Sequence, residues 1–443
     1  MDLEACCDRT GNIPIDLVLV CLKPKASKEL NDTALKALKD RAAQDQILQI
    51  HLDMNGDRHH NPLNPILSSL TPGDREGQPP QEKHIENFAV NSNYIPGELQ
   101  NFFAQTSLPN LKRLQIHQRR EFGAQLWNSL TLHGTTGLTS LSVSLNSTQH
   151  VTDPVRYPLL EILRANPGLR HLVLSGAPPN PDHNCNAKVP LPQLRTIYLG
   201  GPFESAFALL QALDLPAELH TMEFAMVDPT LTDIRTRLGP YMRELIENNA
   251  NFKGRKLEVI TDSGKVSIAV HYLECSGHEA SAEFLISRTS FDDPPDSPWP
   301  TTYLIGFIPG VRTLEMTADN SRIPLLATMP ILNQFESLES LESLSLDHVT
   351  PGDGHDWQPL IDFLQTHQLD HLCVNTSSPD MPTGVKEQVR KHIKDMDFEL
   401  EGDYSPLWLS DDDSPDHDYS DSDYSDYEYS DGNYIDGDDS DTL

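Results

Sequence analysis

A triplet of apolar residues with the spacing apolar-x-x-apolar-x-apolar recurs along this chain of 443 residues. Within each block of repeats, successive copies begin roughly 25 to 31 residues apart. The clear copies are Leu111/Leu114/Ile116, Leu138/Leu141/Val143, Leu169/Leu172/Leu174, Leu194/Ile197/Leu199, Leu219/Met222/Phe224, Val311/Leu314/Met316, Leu341/Leu344/Leu346 and Leu369/Leu372/Val374. Fainter copies precede them at Ile47/Ile50/Leu52 and Ile85/Phe88/Val90. Chance produces isolated copies of so loose a pattern but not regular spacing, so the recurrence indicates an internally repeated structure.

The segments between triplets have helical patterns. In residues 158–164, Leu159, Leu160 and Leu163 share one helical face. Asn166-Pro167-Gly168 then ends the helix and turns the chain toward the next strand. Helices are predicted in this way over residues 96–103, 158–164, 203–213, 323–329 and 357–364.

A short alternating strand and a returning helix in each repeat match the leucine-rich-repeat consensus, in which every repeat donates one strand to a curved parallel sheet. One repeat cannot bury its apolar stripe, so neighbouring repeats must stack. We therefore predict an α/β leucine-rich-repeat solenoid of about ten to twelve repeats. The alternative is an ordinary α/β sheet with coincidental spacing.

The predicted domain organisation has three parts. Residues 1–55, with a strand over 13–22 and a helix over 28–44, form an N-terminal cap or first repeat. The solenoid covers residues 56–400, and residues 401–443 form an acidic tail.

The repeat pattern changes at about residues 257–302. Strands predicted over 257–261, 266–273 and 283–288 are joined by turns too short for parallel crossovers, so we predict an antiparallel insertion there. After the last triplet, we predict a basic helix over 384–396 and a last strand over 398–400.

The tail from Ser410 onward consists of Ser-Asp and Asp-Tyr units with about fourteen carboxylates and no lysine or arginine. Such a composition buries too little apolar surface to order itself, so we predict disorder. The simpler interpretation is a solubilising segment. The alternative is a docking segment tuned by phosphorylation, because Ser410, Ser420 and Ser425 each have a carboxylate three residues downstream.

The chain carries 33 basic and 66 acidic residues, a formal net charge of −33. Phosphate binding needs a basic patch, so we expect no nucleic-acid partner. No N-terminal stretch resembles a signal peptide, and residues 13–22 are too few to span a bilayer. We expect a soluble intracellular protein, cytoplasmic or nuclear, without a membrane partner. A reducing compartment also suits the scattered cysteines Cys6, Cys7, Cys21, Cys185, Cys275 and Cys373.

Signals for catalysis are sparse. The sequence has no phosphate-binding glycine loop, nucleophile elbow or zincin motif. The best metal candidate, His271-x3-Cys275-x2-His278, offers three ligands at most, and we interpret it as two ordinary histidines near an ordinary thiol. We predict no enzymatic activity, no metal and no cofactor, with a hydrolase or metal enzyme as the disfavoured alternative.

Several runs of sequence are similar to a known family. Residues 108–116, 159–174, 189–199 and 207–213 resemble the F-box/leucine-rich-repeat proteins of mushroom-forming fungi, and residues 12–19 resemble the strand that precedes the repeats there. The resemblance covers roughly residues 10–400. It implies a repeat region that holds a substrate for ubiquitination while an N-terminal F-box recruits a Skp1-type adaptor of a cullin ligase.

This chain departs from that family at its start. Too few residues precede Ile13 for an F-box, and the motif-like residues 95–99 lead too soon into the Leu111 strand. The resemblance therefore applies to the repeats alone. The alternatives are an F-box encoded upstream of Met1, with a Skp1-like adaptor as partner, and a relative built from repeats only.

We predict that the chain binds another protein, of unknown identity, through the concave face of the sheet, by side chains that lie between the triplet positions. One hypothesis is the substrate-recruiting module of an F-box type ligase, and the other is a repeat-only scaffold or inhibitor. A strand face that is merely solvated is the alternative for each residue. The candidates are Lys112, Arg113, Gln115, His117, Arg170, His171, Arg195 and Tyr198, with Ser140, Ser142, Ser144, Val173 and Thr196 beside them.

Overall fold

The computed structural model describes the chain in a series of segments. They are residues 15–21, 47–54, 67–68, 70, 81–92, 97–118, 132, 134–145, 158–176, 188–227, 229–248, 256–262, 265–273, 279–287, 302–318, 325–349, 357–376, 381–393 and 398–399. The helix predicted over 28–44 and the tail predicted over 401–443 lie outside these segments.

The strands have the short lengths that the triplet pattern predicts. In chain order they are β1 (Ile15–Cys21), β2 (Ile47–Met54), β3 (Gln81–Glu82), β4 (Asn87–Ser92), β5 (Thr106–Ser107), β6 (Arg113–Gln118), β7 (Ser140–Leu145), β8 (His171–Ser175), β9 (Val189–Pro190), β10 (Thr196–Pro202), β11 (Leu213–Asp214), β12 (Thr221–Val227), β13 (Lys256–Asp262), β14 (Lys265–Leu273), β15 (Glu279–Ser287), β16 (Thr313–Ala318), β17 (Ser343–Val349), β18 (His371–Thr376) and β19 (Phe398–Glu399). Strand β3 pairs with β5 and β9 with β11, while the other fifteen described strands form one sheet.

Helices occupy most of the described connections between strands. They are α1 (Gly97–Gln105), α2 (Pro158–Ala165), α3 (Phe203–Ala212), α4 (Leu231–Asp233), α5 (Gly239–Asn248), α6 (Thr302–Ile305), α7 (Met329–Leu332), α8 (Gln358–Thr366) and α9 (Thr383–Arg390). A π-helical segment, Ile234–Leu238, joins α4 to α5, and 3-10 turns cover Leu325–Thr328 and Glu336–Leu338. Among the helices of the described segments, none has the length and apolarity needed to cross a bilayer.

The large sheet is mostly parallel and follows the order of the chain. From β1 to β12, each of its strands pairs in parallel with the next one along the sequence. The same holds from β16 to β19. Several of the described connections between such strands contain a helix, as α1 does between β4 and β6 and α8 does between β17 and β18. The predicted α/β class with a mostly parallel sheet is therefore confirmed.

The strands pair in a register that aligns the triplets. Leu114 pairs with Leu141, Leu141 with Leu172, and Leu172 with Ile197. These four side chains are at most 1% exposed and belong to one hydrophobic core. The last triplet positions align in the same way two residues later, through Ile116, Val143, Leu174 and Leu199.

Helices cover the buried face of this sheet. The rings of Phe102 and Phe103 in α1 contact Phe88 of β4, with centroids 5.3 and 5.4 Å apart. In α3, Phe203 and Phe207 stack on each other and join the core that contains the triplet residues. Along the strands whose side chains are described, about one side chain in two is buried, and the alternate side chains lie on the opposite face.

The same turn precedes successive strands. In each turn, the N–H of the first triplet residue donates to the carbonyl oxygen of the residue three positions earlier. The donor and acceptor pairs are Leu111 with Leu108, Leu169 with Asn166, Leu194 with Leu191, and Leu341 with Leu338. Neighbouring turns are also joined through side chains, since the Thr135 hydroxyl donates to the carbonyl of Leu108 over 3.0 Å.

Asn166 makes three side-chain hydrogen bonds, two of them to the preceding turn. Its side chain is buried, its Nδ2 donates to the carbonyls of Ile162 and Thr135, and its Oδ1 accepts from the N–H of Leu138. The residue predicted only to end the helix therefore also ties α2 to the preceding turn. This role requires an amide that donates twice and accepts once, as asparagine does.

The antiparallel insertion predicted near residues 257–302 is confirmed for its backbone. Strand β14 pairs antiparallel with both β13 and β15. The order within the sheet was not predicted: β15 lies beside β12, and β13 lies beside β16, both in parallel. The three strands therefore occupy the sheet in reverse chain order, between two blocks that follow chain order.

Two predicted helices were wrong in extent. In place of one helix over 323–329, a 3-10 turn leads into α7, where Pro330 lies in the first turn. Proline has no N–H and is tolerated only near a helix start, so the helix begins at Met329. The helix predicted over 384–396 ends at Arg390, and Ile393 instead forms a parallel bridge with Leu369.

Replacing Asn166 with alanine is expected to lower the free energy of unfolding by about 2 to 4 kcal/mol, because two carbonyls and one N–H lose their buried partner. Asn110→Ala is the matched control, since Asn110 is exposed and bonds His84. That substitution is expected to cost about 0.5 kcal/mol or less. Equal losses for both variants in chemical denaturation would contradict the assignment.

Candidate protein-interaction surface

The eight residues predicted to contact a partner lie in or just before three strands of a four-stranded part of the sheet. Strand β6 contains Arg113, Gln115 and His117, β8 begins with His171, and β10 contains Tyr198. Lys112, Arg170 and Arg195 each lie one residue before one of these strands. Strand β7 lies between β6 and β8, and β10 follows β8. Because neighbouring strands are about 4.8 Å apart, the surface spans roughly 14 Å across the strands.

Recurring backbone hydrogen bonds fix the positions where the strands begin. The Thr139 carbonyl accepts the N–H groups of Arg170 and His171, at 2.8 and 3.1 Å. The Arg170 carbonyl accepts those of Arg195 and Thr196 at the same distances. Arg170 and Arg195 therefore occupy neighbouring positions just before the adjacent strands β8 and β10, and both are exposed.

His171 lies among three guanidinium groups. Partial burial lowers the pKa of its imidazole below the ordinary value, and the positive charges of Arg113, Arg170 and Arg195 lower this pKa further. Arg113 reaches it from β6, and Arg195 from the start of β10. Its strand neighbours in register, Ser140 and Thr196, carry no charge. We call Arg113, Arg170, His171 and Arg195 the arginine cluster.

Among the described residues, the arginines of this cluster differ from Lys112 in having no acidic partner. Lys112 forms an ion pair with Glu86, with Nζ and Oε2 3.0 Å apart. In the described part of the chain, no ion pair or side-chain hydrogen bond joins Arg113, Arg170 or Arg195 to a carboxylate. Their positive charges are therefore available to a ligand that approaches the exposed face.

The other predicted contact residues form a polar border to the cluster. Gln115 is exposed, and His117 Nε2 lies 3.4 Å from the Ser142 hydroxyl. Tyr198 is half-buried, and its ring lies along its own strand beside Gly200, where an added Cβ would come within 3.1 Å of it. Gly200 thus leaves room for this ring on the face.

Beyond Tyr198, the residues that follow it in register on the next strands of the sheet are acidic, which the sequence did not lead us to predict. Tyr198 pairs in register with Glu223 of β12, which pairs with Glu283 of β15. Further along, Glu258 of β13 pairs with Glu315 of β16. Glu223 and Glu315 each lie between the last two residues of a triplet, a signal present in the sequence. Glu258 and Glu283 lie in the antiparallel insertion, where no triplet marks the position.

The remaining candidate sites stay predictions. Ser410, Ser420 and Ser425 lie outside the described residues, as do Cys275 and His278 of the predicted metal motif. His271 of the same motif lies in β14. Among the described residues, no group of three or more histidine, cysteine or carboxylate side chains is arranged to hold a metal ion.

Comparisons with known proteins give no family for the chain. No protein-family model matches it, and no curated protein is similar to it in sequence.

Replacing Arg195 with glutamine is expected to raise the pKa of His171 toward its ordinary value, because one of the charges that disfavour the imidazolium is removed. NMR titration of the His171 ring measures this shift. Arg312→Gln is the control, since Arg312 holds the equivalent position before β16 and pairs with Glu342. An unchanged His171 titration in Arg195→Gln would contradict the cluster geometry.

Proposed function

We propose that this chain is a leucine-rich-repeat solenoid that binds another protein through the exposed face of its parallel sheet, without enzymatic activity. The recurring turn before Leu111, Leu169, Leu194 and Leu341 supports the repeat assignment. So does the register that aligns the triplets in one core.

The observation that carries the binding proposal is the arginine cluster. Exposed charged side chains usually pair with opposite charges or lie apart from like charges. Arg113, Arg170 and Arg195 instead lie close enough to His171 to lower its pKa, and among the described residues none of them pairs with a carboxylate. Loss of such charges on a surface has little effect on folding, so their placement suits recognition better than stability.

Two forms of this function follow from the sequence resemblance. In the first, the chain is the substrate-recruiting part of an F-box type ubiquitin ligase, and a Skp1-like adaptor binds an F-box encoded upstream of Met1. In the second, the chain is a repeat-only scaffold or inhibitor without a ligase role. Both forms are intracellular, and both use the same exposed face.

A photo-crosslinking amino acid at Gln115 is expected to capture the partner, because this exposed side chain borders the arginine cluster. The matched control carries the same amino acid at Glu161, which is exposed on α2. Mass spectrometry of the adducts from cell extract compares the two positions. Equal capture from both, or capture from Glu161 alone, would reject the sheet face as the contact surface.

Co-purification with a Skp1-type adaptor separates the two forms. A stable complex on size-exclusion chromatography, formed by the protein translated from the full transcript, is expected only for the ligase form. If that protein does not bind the adaptor, the result rejects the ligase form and supports the repeat-only form.

A further inference from the structure

We infer that the arginine cluster binds a carboxylate-rich, extended segment of a partner protein. This inference rests on the proposed function, since it names the chemistry of the partner at the same exposed face. The acidic side chains of the partner would pair with the guanidinium groups of Arg113, Arg170 and Arg195.

The geometry of the cluster suits several carboxylates better than one. The three arginines come from the beginnings of three different strands, with Arg113 on β6, Arg170 before β8 and Arg195 before β10. Each guanidinium presents donors in a planar fork that can bind a carboxylate with two hydrogen bonds. Side chains spread over several strands therefore match acidic residues spread along an extended peptide.

The extent of the positive surface limits the length of the ligand. Lys112 at one end is already paired with Glu86, and Glu223 follows Tyr198 in register at the other end. The positive surface is roughly 14 Å wide, which corresponds to about four or five residues of extended chain.

A nucleic acid fits this surface less well than a short acidic segment. A polyanion longer than the positive surface would run onto Glu223 and the register position of Glu283 beside it. Repulsion there disfavours a continuous phosphate backbone, whereas a protein segment can change its charge within a few residues.

His171 makes the binding depend on pH. The charged groups facing it are Arg113 from β6, Arg195 from the start of β10 and Arg170 beside it, all positive. They hold its pKa below the ordinary value, so the free ring is neutral at pH 7. A bound carboxylate would favour the imidazolium, so binding takes up a proton and strengthens as pH falls.

The test measures fluorescence anisotropy of a labelled six-residue peptide of alternating glutamate and serine with the full chain. Controls are the glutamine/serine peptide and an oligodeoxythymidylate of equal charge. Arg170→Gln/Arg195→Gln is expected to weaken binding about tenfold. Lys188→Gln/Lys391→Gln, which removes the same charge from exposed positions outside the large sheet, is expected to leave binding unchanged.

Each variant is made in two full-length backgrounds, because the chain carries carboxylates of its own from Ser410 onward. One background is natural, and in the other the tail residues Asp411, Asp412 and Asp413 are replaced with asparagine. The weaker binding of the arginine variant is expected in both, and thermal unfolding checks that the variants fold. Binding is expected to strengthen between about pH 7.5 and 5.5, and His171→Gln is expected to abolish that increase.

The inference is overturned if the arginine variant binds as tightly as the lysine variant, if the glutamine/serine peptide binds equally well, or if the oligonucleotide binds more tightly than the acidic peptide. The crosslinking experiment at Gln115 separates these outcomes from failure of the proposed function. Capture from Gln115 without peptide binding would keep the face as a contact surface and reject only the acidic chemistry.

Discussion

Burial of aligned apolar side chains across parallel strands determines the register of this sheet, and the register determines the rest. A slip of one residue would turn Arg113 and Gln115 toward the core and Leu114 toward solvent. Burying one leucine stabilises by about 1.5 to 3 kcal/mol, so a shifted strand would lose several such contributions at once. The outward residues of neighbouring strands are consequently held in fixed rows.

This constraint explains how like charges come to lie side by side. Arg170 and Arg195 lie just before the neighbouring strands β8 and β10, and the charges of both act on His171. Repulsion between exposed charges in water amounts to about 1 kcal/mol or less, which is smaller than the cost of breaking the apolar register. The fold therefore tolerates a cluster of like charges that has no carboxylate partner among the described residues, and we propose that this cluster binds an anionic partner.

The β13–β15 insertion obeys the same constraint in a different topology. Leu257 of β13 pairs with Leu314 of β16, and Phe284 of β15 pairs with Phe224 of β12. Apolar residues thus continue to pair in register where the chain order reverses. The two parallel blocks can be joined through an antiparallel strand because the inserted strands keep the same two-residue alternation of side chains between the two faces of the sheet.

The sequence by itself determined the strands, because a two-residue alternation repeated at regular intervals leaves little freedom in which side chains are buried. Alternation also places Arg113, Gln115, His117, His171 and Tyr198 on one face, whereas Lys112, Arg170 and Arg195 lie just before their strands. The reverse order of β13–β15 and the buried bonds of Asn166 were decided only by tertiary structure. Both depend on which segments meet in space, and local periodicity carries no information about distant partners.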